Sequence, residues 1–142
     1  MTLSASLQLR SDLNELTRLA VWIEVWARQH DVPDQIAQTV DLCAAEAVTN
    51  VMEYGLADAD GGEIDVRLGR DGDAVVLQIE DGGVAFDPTT APPPAPVTLD
   101  SDKVGGWGIG IVARLSDEMR YDRVDGRNRL TLVFHPRSSA AA

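Results

Sequence analysis

The sequence predicts an α+β fold, a two-layer α/β sandwich in which helices cover one face of a mixed, mainly antiparallel sheet. Two long helical patterns follow each other near the N-terminus, and most strand patterns come later as hairpins. This segregation of helices and strands is typical of α+β folds, whereas a parallel sheet needs them to alternate. The chain has 142 residues, a length typical of one domain with a single core, so we expect residues 1–142 to form one domain.

The N-terminal part is predicted to contain an edge strand followed by a helix. Residues 4–9 alternate polar and apolar side chains, as a half-buried strand does. Asp12 and Glu15 have the spacing of a capping box, so we expect the first helix to run from about Asp12 to His30. The apolar positions of this helix that share one face are Leu13, Leu16, Ala20, Ile23 and Ala27.

A second helix is predicted after the break at residues 31–33, because Pro33 suits a first helical turn. Its end is expected near Tyr54, since Gly55 is a typical helix stop. An apolar stripe on this helix indicates that it packs on the core. The residues of the stripe are Ile36, Val40, Cys43, Ala47 and Val51.

The rest of the regular structure is predicted to be two hairpins. Residues 63–68 and 74–79 alternate like strands on either side of a turn. A final hairpin is expected from strands at residues 119–124 and 129–134, with Asp125-Gly126 as the turn between them.

A long segment separates these two hairpins. Residues 82–103 form a loop that contains five of the seven prolines, and a loop of about 20 residues in a compact domain is typical of a lid or a disordered segment. The glycine-rich residues 105–110 follow and lead into a short helix at about residues 111–115. Residues 138–142 are expected to be a loose tail.

Charge and cysteine content restrict the possible partners. The formal net charge of −11 opposes contact with phosphate backbones and anionic lipids, so we expect no direct nucleic-acid partner and no membrane partner. Cys43 is the single cysteine, which excludes an intrachain disulfide and a Cys/His metal cluster. The sequence has neither a signal-peptide pattern nor an apolar run long enough to span a bilayer. We therefore expect a cytoplasmic protein.

Glu46 and Asn50 are the first candidate site residues. They lie four residues apart in the second predicted helix and share one helix face. Beside the apolar stripe, a carboxylate and a carboxamide can point into a groove next to the core, where both supply oxygen ligands for Mg²⁺. The alternative is an ordinary solvated helix face.

Two glycine-rich turns supply the other candidates. Asp81 follows a buried strand and precedes Gly82-Gly83, so its carboxylate can accept a hydrogen bond from an amine such as that of adenine. Residues 105–110 precede a helix, where backbone N–H groups attract phosphate. No Gly-Lys-Ser/Thr follows, so this is not a Walker A motif. The alternatives are an Asp-Gly turn and a flexible hinge.

The order and spacing of these segments resemble the anti-sigma factor and serine-protein kinase family of the GHKL (Bergerat-fold) ATPase superfamily. The similarity extends over residues 5–135, nearly the whole chain. Residues 46–55 resemble the N box of that family, residues 81–88 and 105–111 its two glycine boxes, and residues 117–121 and 125–132 its usual ending.

The resemblance implies a role for each candidate residue. Asn50 would coordinate Mg²⁺ between the ATP phosphates, Glu46 would be the general base for an attacking serine hydroxyl, and Asp81 would bind the adenine amine. Gly83 would border the base, and Thr131 would lie near the adenine. The phosphates would be held by Gly106, Gly108 and Gly110, under a lid formed by about residues 82–105.

The resemblance also implies a function and partners. The protein would be an anti-sigma factor that holds a sigma factor and phosphorylates a serine of a small antagonist protein, with ATP and Mg²⁺ as cofactors. A homodimer is usual in the family. One alternative is an ATP-binding module that regulates a protein partner without phosphoryl transfer. A second is a structural α+β domain whose glycines are incidental.

Several residues keep two interpretations. Trp22 and Trp26 lie beside the apolar stripe of the first helix and either widen the core or form an interface. Lys103 is either a solvated loop charge or a phosphate ligand, and Trp107 packs either on the lid or over the core. A phospho-accepting histidine lies in a separate dimerisation helix, and neither His30 nor His135 is in such a helix. We expect both to be ordinary histidines at the surface or at a helix end.

Overall fold

The computed structural model describes residues 2–55, 62–89 and 108–136. Within these ranges the chain forms five strands and three α-helices, and a π-helical turn at Val51–Gly55 extends the second helix. No helix in these ranges is long and apolar enough to cross a membrane. In chain order the elements are β1 (Thr2–Arg10), α1 (Glu15–Gln29), α2 (Asp34–Asn50), β2 (Glu63–Asp71), β3 (Ala74–Asp81), α3 (Gly108–Leu115), β4 (Glu118–Val124) and β5 (Arg127–Phe134).

The five strands form one sheet in the order β1-β2-β3-β5-β4. All the strand pairings in the described residues are antiparallel, so the α+β prediction is confirmed and the sheet is antiparallel throughout these residues. Hairpins join β2 to β3 and β4 to β5, and short hairpin turns necessarily make neighbouring strands antiparallel. Because β3 is the central strand, its C-terminal residue Asp81 lies in the middle of the row of strand ends on one side of the sheet.

The β4–β5 turn forms where the sequence predicts it. Asp125 and Gly126 have φ values of 52° and 78°, and two successive residues with positive φ are characteristic of a type I′ hairpin turn. Glycine adopts this conformation without steric cost, and aspartate is among the residues that tolerate it best. The turn fixes the register of β5 against β4 and so determines which residues of β5 face the helices.

Helix α1 begins at Glu15, three residues later than predicted. Asp12 stabilises a turn instead of capping the helix, because its Oδ1 accepts a hydrogen bond from the Asn14 backbone N–H at 2.9 Å. The Glu15 carboxylate accepts a hydrogen bond from the Arg10 backbone N–H at 3.1 Å. The predicted capping box is therefore wrong, and Leu13 lies before the helix and is 62% exposed.

The core lies between the helices and one face of the sheet. Alternation along each strand places every second side chain on this face, and the apolar stripes of α1 and α2 pack onto them. Burying one such aliphatic side chain contributes about 1.5–3 kcal/mol. Buried members of the core include Leu19 and Ile23 of α1, Val40, Cys43 and Val48 of α2, Val112 of α3, and Ile64, Val66, Leu77, Ile79 and Leu132 of the sheet.

Both tryptophans of α1 belong to this core. Trp26 is buried, and Trp22 is half-buried and packs against the same cluster. The indole ring of Trp26 stacks on the His30 ring with a centroid distance of 4.5 Å. The structure therefore favours the interpretation in which these residues widen the core.

Several sequence predictions lie outside the described residues. They concern most of the proposed lid, the C-terminal tail, and the positions of Lys103, Gly106 and Trp107. The predicted end of the second helix is confirmed, because α2 continues through the π-helical turn to Gly55.

Candidate functional site

A cleft opens where the C-terminal end of α2 meets the ends of β3 and β5. It encloses about 350 Å³ including its open mouth. Its walls are largely apolar, and the polar side chains converge at one end. The residues that line it are Ala47, Asn50 and Val51 of α2 and its π-helical turn, Ile79 and Asp81 of β3, Phe86 and Pro88 after β3, Tyr121 of β4, and Asn128 and Leu130 of β5.

Two periodicities bring Asn50 and Asp81 to the same cleft. Helical spacing places Ala47, Asn50 and Val51 on one face of α2, and strand alternation places Ile79 and Asp81 on the helix-facing side of β3. Each set contains apolar residues and one polar residue, Asn50 or Asp81. Two of the residues predicted from the sequence are thus neighbours in one site.

Asp81 presents one free acceptor oxygen in this cleft. The side chain is only 3% exposed. Its Oδ1 accepts hydrogen bonds from the Gly83 backbone N–H at 2.9 Å and from Asn128 Nδ2 at 3.1 Å. Its Oδ2 has no hydrogen-bond partner among the described residues. An acceptor that opens into a largely apolar cleft favours a ligand that brings a donor, such as an exocyclic amine.

Asn128 is a site residue that sequence reasoning missed. It is buried, and β-sheet register places it directly opposite Asp81. Its side chain donates hydrogen bonds to Asp81 and to the Val84 carbonyl, and it accepts hydrogen bonds from β4 and from the Phe86 backbone N–H. The signal in the sequence is alternation: Asn128 is the polar first member of an otherwise apolar series, Leu130, Leu132 and Phe134.

Asn50 has the properties of a ligand-binding side chain. It is 6% exposed and lines the cleft. Its carboxamide makes no hydrogen bond to any residue in the described parts of the chain. Its polar atoms still reach solvent, so they are open to a ligand or ion that enters the cleft. In the same parts of the chain no group of three or more His, Cys, Asp or Glu side chains could hold a metal ion.

Glu46 lies one helical turn before Asn50 on α2 and is half-buried. It is not among the residues that line the cleft. Its charge acts on the core, because burial first and the nearby Glu46 carboxylate second raise the pKa of the Cys43 thiol to about 11. Glu46 therefore lies close to Cys43 and outside the lining of the cleft, one helical turn from Asn50.

The glycines of the two boxes are described in part. Gly83 lies beside the cleft, where its N–H donates to Asp81 and its carbonyl accepts a hydrogen bond from Arg123 Nη1 at 2.9 Å. Gly108 begins α3, and Gly110 lies in the first turn of that helix, which packs against α2. These two glycines therefore lie at a helix N-terminus beside the element that carries Asn50, a position suited to phosphate.

Thr131 does not reach the cleft. It pairs with Gln78 across the sheet and lies within 3.4 Å of it through Oγ1. Because side chains alternate along a strand, Thr131 is on the face opposite Asn128 and Leu130, away from the helices. The structure therefore corrects the expected adenine contact of Thr131, and Asn128 occupies the corresponding place beside Asp81.

Comparisons with known proteins agree with this geometry. Residues 9–134 match the family described as the histidine kinase-like ATPase domain. The serine/threonine-protein kinase BtrW of Bordetella bronchiseptica is 31% identical over 131 residues, which cover 92% of each chain.

Two solved structures share the fold. One contains the RsbU and RsbW domains of Rv1364c from Mycobacterium tuberculosis, with a TM-score of 0.64 and 18% identity over 93% of this chain and 32% of that one. The other is the histidine kinase domain of the blue-light activated histidine kinase EL346 from Erythrobacter litoralis, with a TM-score of 0.53 and 17% identity over 86% of this chain. This chain spans 59% of that second structure, and at 17–18% identity both likenesses concern the fold alone.

The family match covers nearly the whole chain, and the BtrW match extends over the helices, the sheet and the cleft alike. Both agree with the resemblance to GHKL ATPases that the three boxes predict. The chain belongs to the histidine kinase-like ATPase domain family.

Proposed function

We propose that this protein binds ATP with Mg²⁺ in the cleft and is an anti-sigma factor with serine kinase activity. In this function it holds a sigma factor, and it phosphorylates a serine of a small antagonist protein. The added phosphate charge abolishes binding of the antagonist, so the two partners exchange. Residues 82–105 act as a lid over the nucleotide, and the family's usual homodimer is part of the proposal.

The observation that carries this proposal is the free Oδ2 of Asp81 inside an apolar cleft. Apolar walls suit an adenine ring, and its amine would supply the donor that this oxygen lacks. The BtrW match supports ATP as the nucleotide, because the relative is named a serine/threonine-protein kinase.

Asn50 is suited to hold Mg²⁺ beside the phosphates. A carboxamide oxygen is a hard ligand of the kind that Mg²⁺ accepts, and this one is buried without another partner among the described residues. When bound, the metal neutralises phosphate charge during transfer. Such neutralisation is especially important in a protein with a net charge of −11.

Glu46 acts as the general base in the proposed transfer. It accepts the proton of the partner's serine hydroxyl, and the serine oxygen forms a bond to the γ-phosphorus. The bond from that phosphorus to the bridging oxygen breaks, and ADP leaves with the bond electrons. Gly106, Gly108 and Gly110 hold the phosphates in place through their backbone N–H groups.

The binding half of the proposal is tested with the substitution Asp81→Asn. Oδ1 of Asp81 accepts hydrogen bonds from two N–H groups, and in the proposal Oδ2 accepts one from the adenine amine. Both oxygens must therefore be hydrogen-bond acceptors. A carboxamide has only one acceptor oxygen, and an unsatisfied buried group costs about 1–3 kcal/mol, so we expect ATP affinity to fall about 10- to 100-fold. Isothermal titration with Mg-ATP measures this, and Asp125→Asn in the exposed β4–β5 turn is the matched control. Failure of the unaltered protein to bind Mg-ATP at millimolar concentration would reject the proposal.

The kinase half is tested with Glu46→Ala. The variant should bind Mg-ATP like the unaltered protein but lose phosphoserine formation on the candidate antagonist, by about 100-fold or more. Glu118→Ala on the exposed edge strand β4 is the control and should retain transfer. If the unaltered protein binds ATP but transfers no phosphate, the protein is an ATP-dependent binding module instead.

A further inference from the structure

The side-chain amide of Asn128 is held in one orientation by donors and acceptors on all sides. Its Oδ1 accepts hydrogen bonds from Arg123 Nη1 at 3.0 Å, from the Phe86 backbone N–H at 3.3 Å and from the Tyr121 hydroxyl. Its Nδ2 donates to Asp81 Oδ1 at 3.1 Å and to the Val84 carbonyl oxygen at 2.8 Å. A flipped amide would place its oxygen against these two acceptors and its NH₂ against three donors, so the observed orientation is fixed.

This orientation determines what Asp81 can do. Asn128 Nδ2 and the Gly83 N–H both donate to Oδ1, which therefore serves as an acceptor. No described group donates to Oδ2 or accepts from it. An ionised carboxylate only accepts hydrogen bonds, so an oxygen left open in this way suits an amine and not a carbonyl oxygen.

We propose that Asn128 is a positioning residue that sets the base selectivity of the site through Asp81. By occupying Oδ1 with its N–H, it orients the carboxylate so that Oδ2 is left for the base, and an ionised carboxylate selects a purine with an amino group at position 6 over a purine with a carbonyl there. The inference rests on the proposed ATP site and deepens it.

The same amide also connects the base site to the start of the proposed lid. Asn128 binds the backbone of Val84 and Phe86, and Arg123 binds both Asn128 and the Gly83 carbonyl. The chain directly after Asp81 is thus fixed to strands β4 and β5 by two side chains. Asp81 is held from both sides, which reduces the ordering that base binding requires.

The decisive variant is Asn128→Asp, which is nearly isosteric but replaces the N–H donor with a carboxyl group. Two carboxyl groups in contact share a proton at low pH, because they cannot both be ionised without repulsion. The charged or titratable groups facing the new carboxyl are Asp81 on β3 and Tyr121 and Arg123 on β4, and Arg123 favours keeping one of the two ionised. The shared proton lets Asp81 donate to a carbonyl oxygen.

The probes are ATP and inosine triphosphate, which carries a carbonyl oxygen in place of the amine at position 6. We expect the unaltered protein to prefer ATP by at least about tenfold at both pH 6 and pH 8. In the Asn128→Asp variant the preference should fall about tenfold at pH 6 and recover partly at pH 8, where the shared proton is lost. Isothermal titration with Mg²⁺ present measures both affinities.

Two further variants complete the design. Asn14→Asp makes the same change of charge at an exposed position before α1 and should leave the ATP preference unchanged. Asn128→Ser removes the amide without adding a charge, so its lower ATP preference should not depend on pH. Circular dichroism verifies that each variant is folded.

The outcomes separate this inference from the proposed function. If the unaltered protein binds ATP but both substitutions of Asn128 weaken ATP and inosine triphosphate equally at both pH values, the residue only supports the fold and the inference is overturned. Equal binding of the two nucleotides by the unaltered protein also overturns it. If the unaltered protein binds neither nucleotide, the proposed function itself has failed.

Discussion

Glu80 is a buried charge on the sheet face opposite the helices. Its side chain is 8% exposed, and Oε1 accepts a hydrogen bond from Arg129 Nε at 2.6 Å. Arg67 Nη1 lies 3.4 Å from the same oxygen, and Arg127 Nε lies 3.6 Å from Oε2. The three guanidinium groups come from β2 and β5, on the two sides of β3. Glu80 therefore joins the three central strands on a face that has no helix among the described elements.

We expect Glu80→Ala to lower the free energy of unfolding by about 1–3 kcal/mol. The loss stays below that of a fully buried ion pair, because the arginine side chains are 34–40% exposed and regain contact with water. Urea denaturation measures the change. The control is Arg18→Ala, which breaks the surface pair with Glu15 on α1 and should cost less than about 0.5 kcal/mol. Equal effects of the two substitutions would contradict the role given to Glu80.

At the scale of elements, α1 and α2 enclose a groove that holds carboxylates from both helices. Asp41 of α2 is partly buried there, and burial first and the Glu24 carboxylate on α1 second raise the pKa of Asp41 above its ordinary value. Below the pKa of the unfolded chain, both states are protonated and the group has no net effect on stability. As pH rises through the folded-state pKa, the folded protein must carry an unfavourable charge and stability is lost.

We therefore expect Asp41→Asn to raise the urea midpoint of unfolding at pH 7 and to leave it unchanged at pH 3. The amide has nearly the same shape, so removal of the charge is the main change at neutral pH. Asp125→Asn in the exposed turn should change the midpoint little at either pH. A stabilisation by Asp41→Asn that is as large at pH 3 as at pH 7 would show that packing, not charge, is responsible.

At the scale of the whole molecule, the elements and half of the site follow from local patterns. Asn50 and Asp81 were predictable, because each is a polar residue at the end of an apolar pattern with a clear period. The type and order of the elements follow in the same way. The start of α1 could not be predicted from a local pattern. Asp12 and Glu15 have the spacing of a capping box, but both accept hydrogen bonds from backbone N–H groups outside the helix.

The roles of Asn128 and Thr131 depend on information that is not local. Only one of these two residues of β5 can lie on the same face as Asp81. The phase of β5, meaning which of its alternating side chains face the helices, decides which one it is. A shift of one residue would exchange their faces. The phase is set by the hairpin turn at Asp125-Gly126 and by burial of Leu130 and Leu132. A resemblance to a family motif identifies the segment but does not set this phase, so it pointed to Thr131 where the structure places Asn128 in the cleft.

A ligand that binds only the folded state lowers the unfolded population of a protein, and the rate of chemical labelling of Cys43 can measure this effect for a nucleotide. Its thiol is fully buried between α2 and the sheet, and its pKa is raised to about 11 by burial and by Glu46. At pH 8 a disulfide reagent should therefore react with it only when the molecule unfolds.

If the nucleotide binds the folded state alone, Mg-ATP at about 100 times its dissociation constant should slow this labelling about 100-fold, since it lowers the unfolded population by that factor. The rate of thiol labelling, followed with and without Mg-ATP, tests the prediction. The Asp81→Asn variant is the control, and its labelling rate should respond much less to the same nucleotide concentration. Fast labelling that ATP does not slow would mean that Cys43 becomes accessible through a local opening of α2, and the packing of this helix on the sheet would then be less cooperative than the continuous core implies.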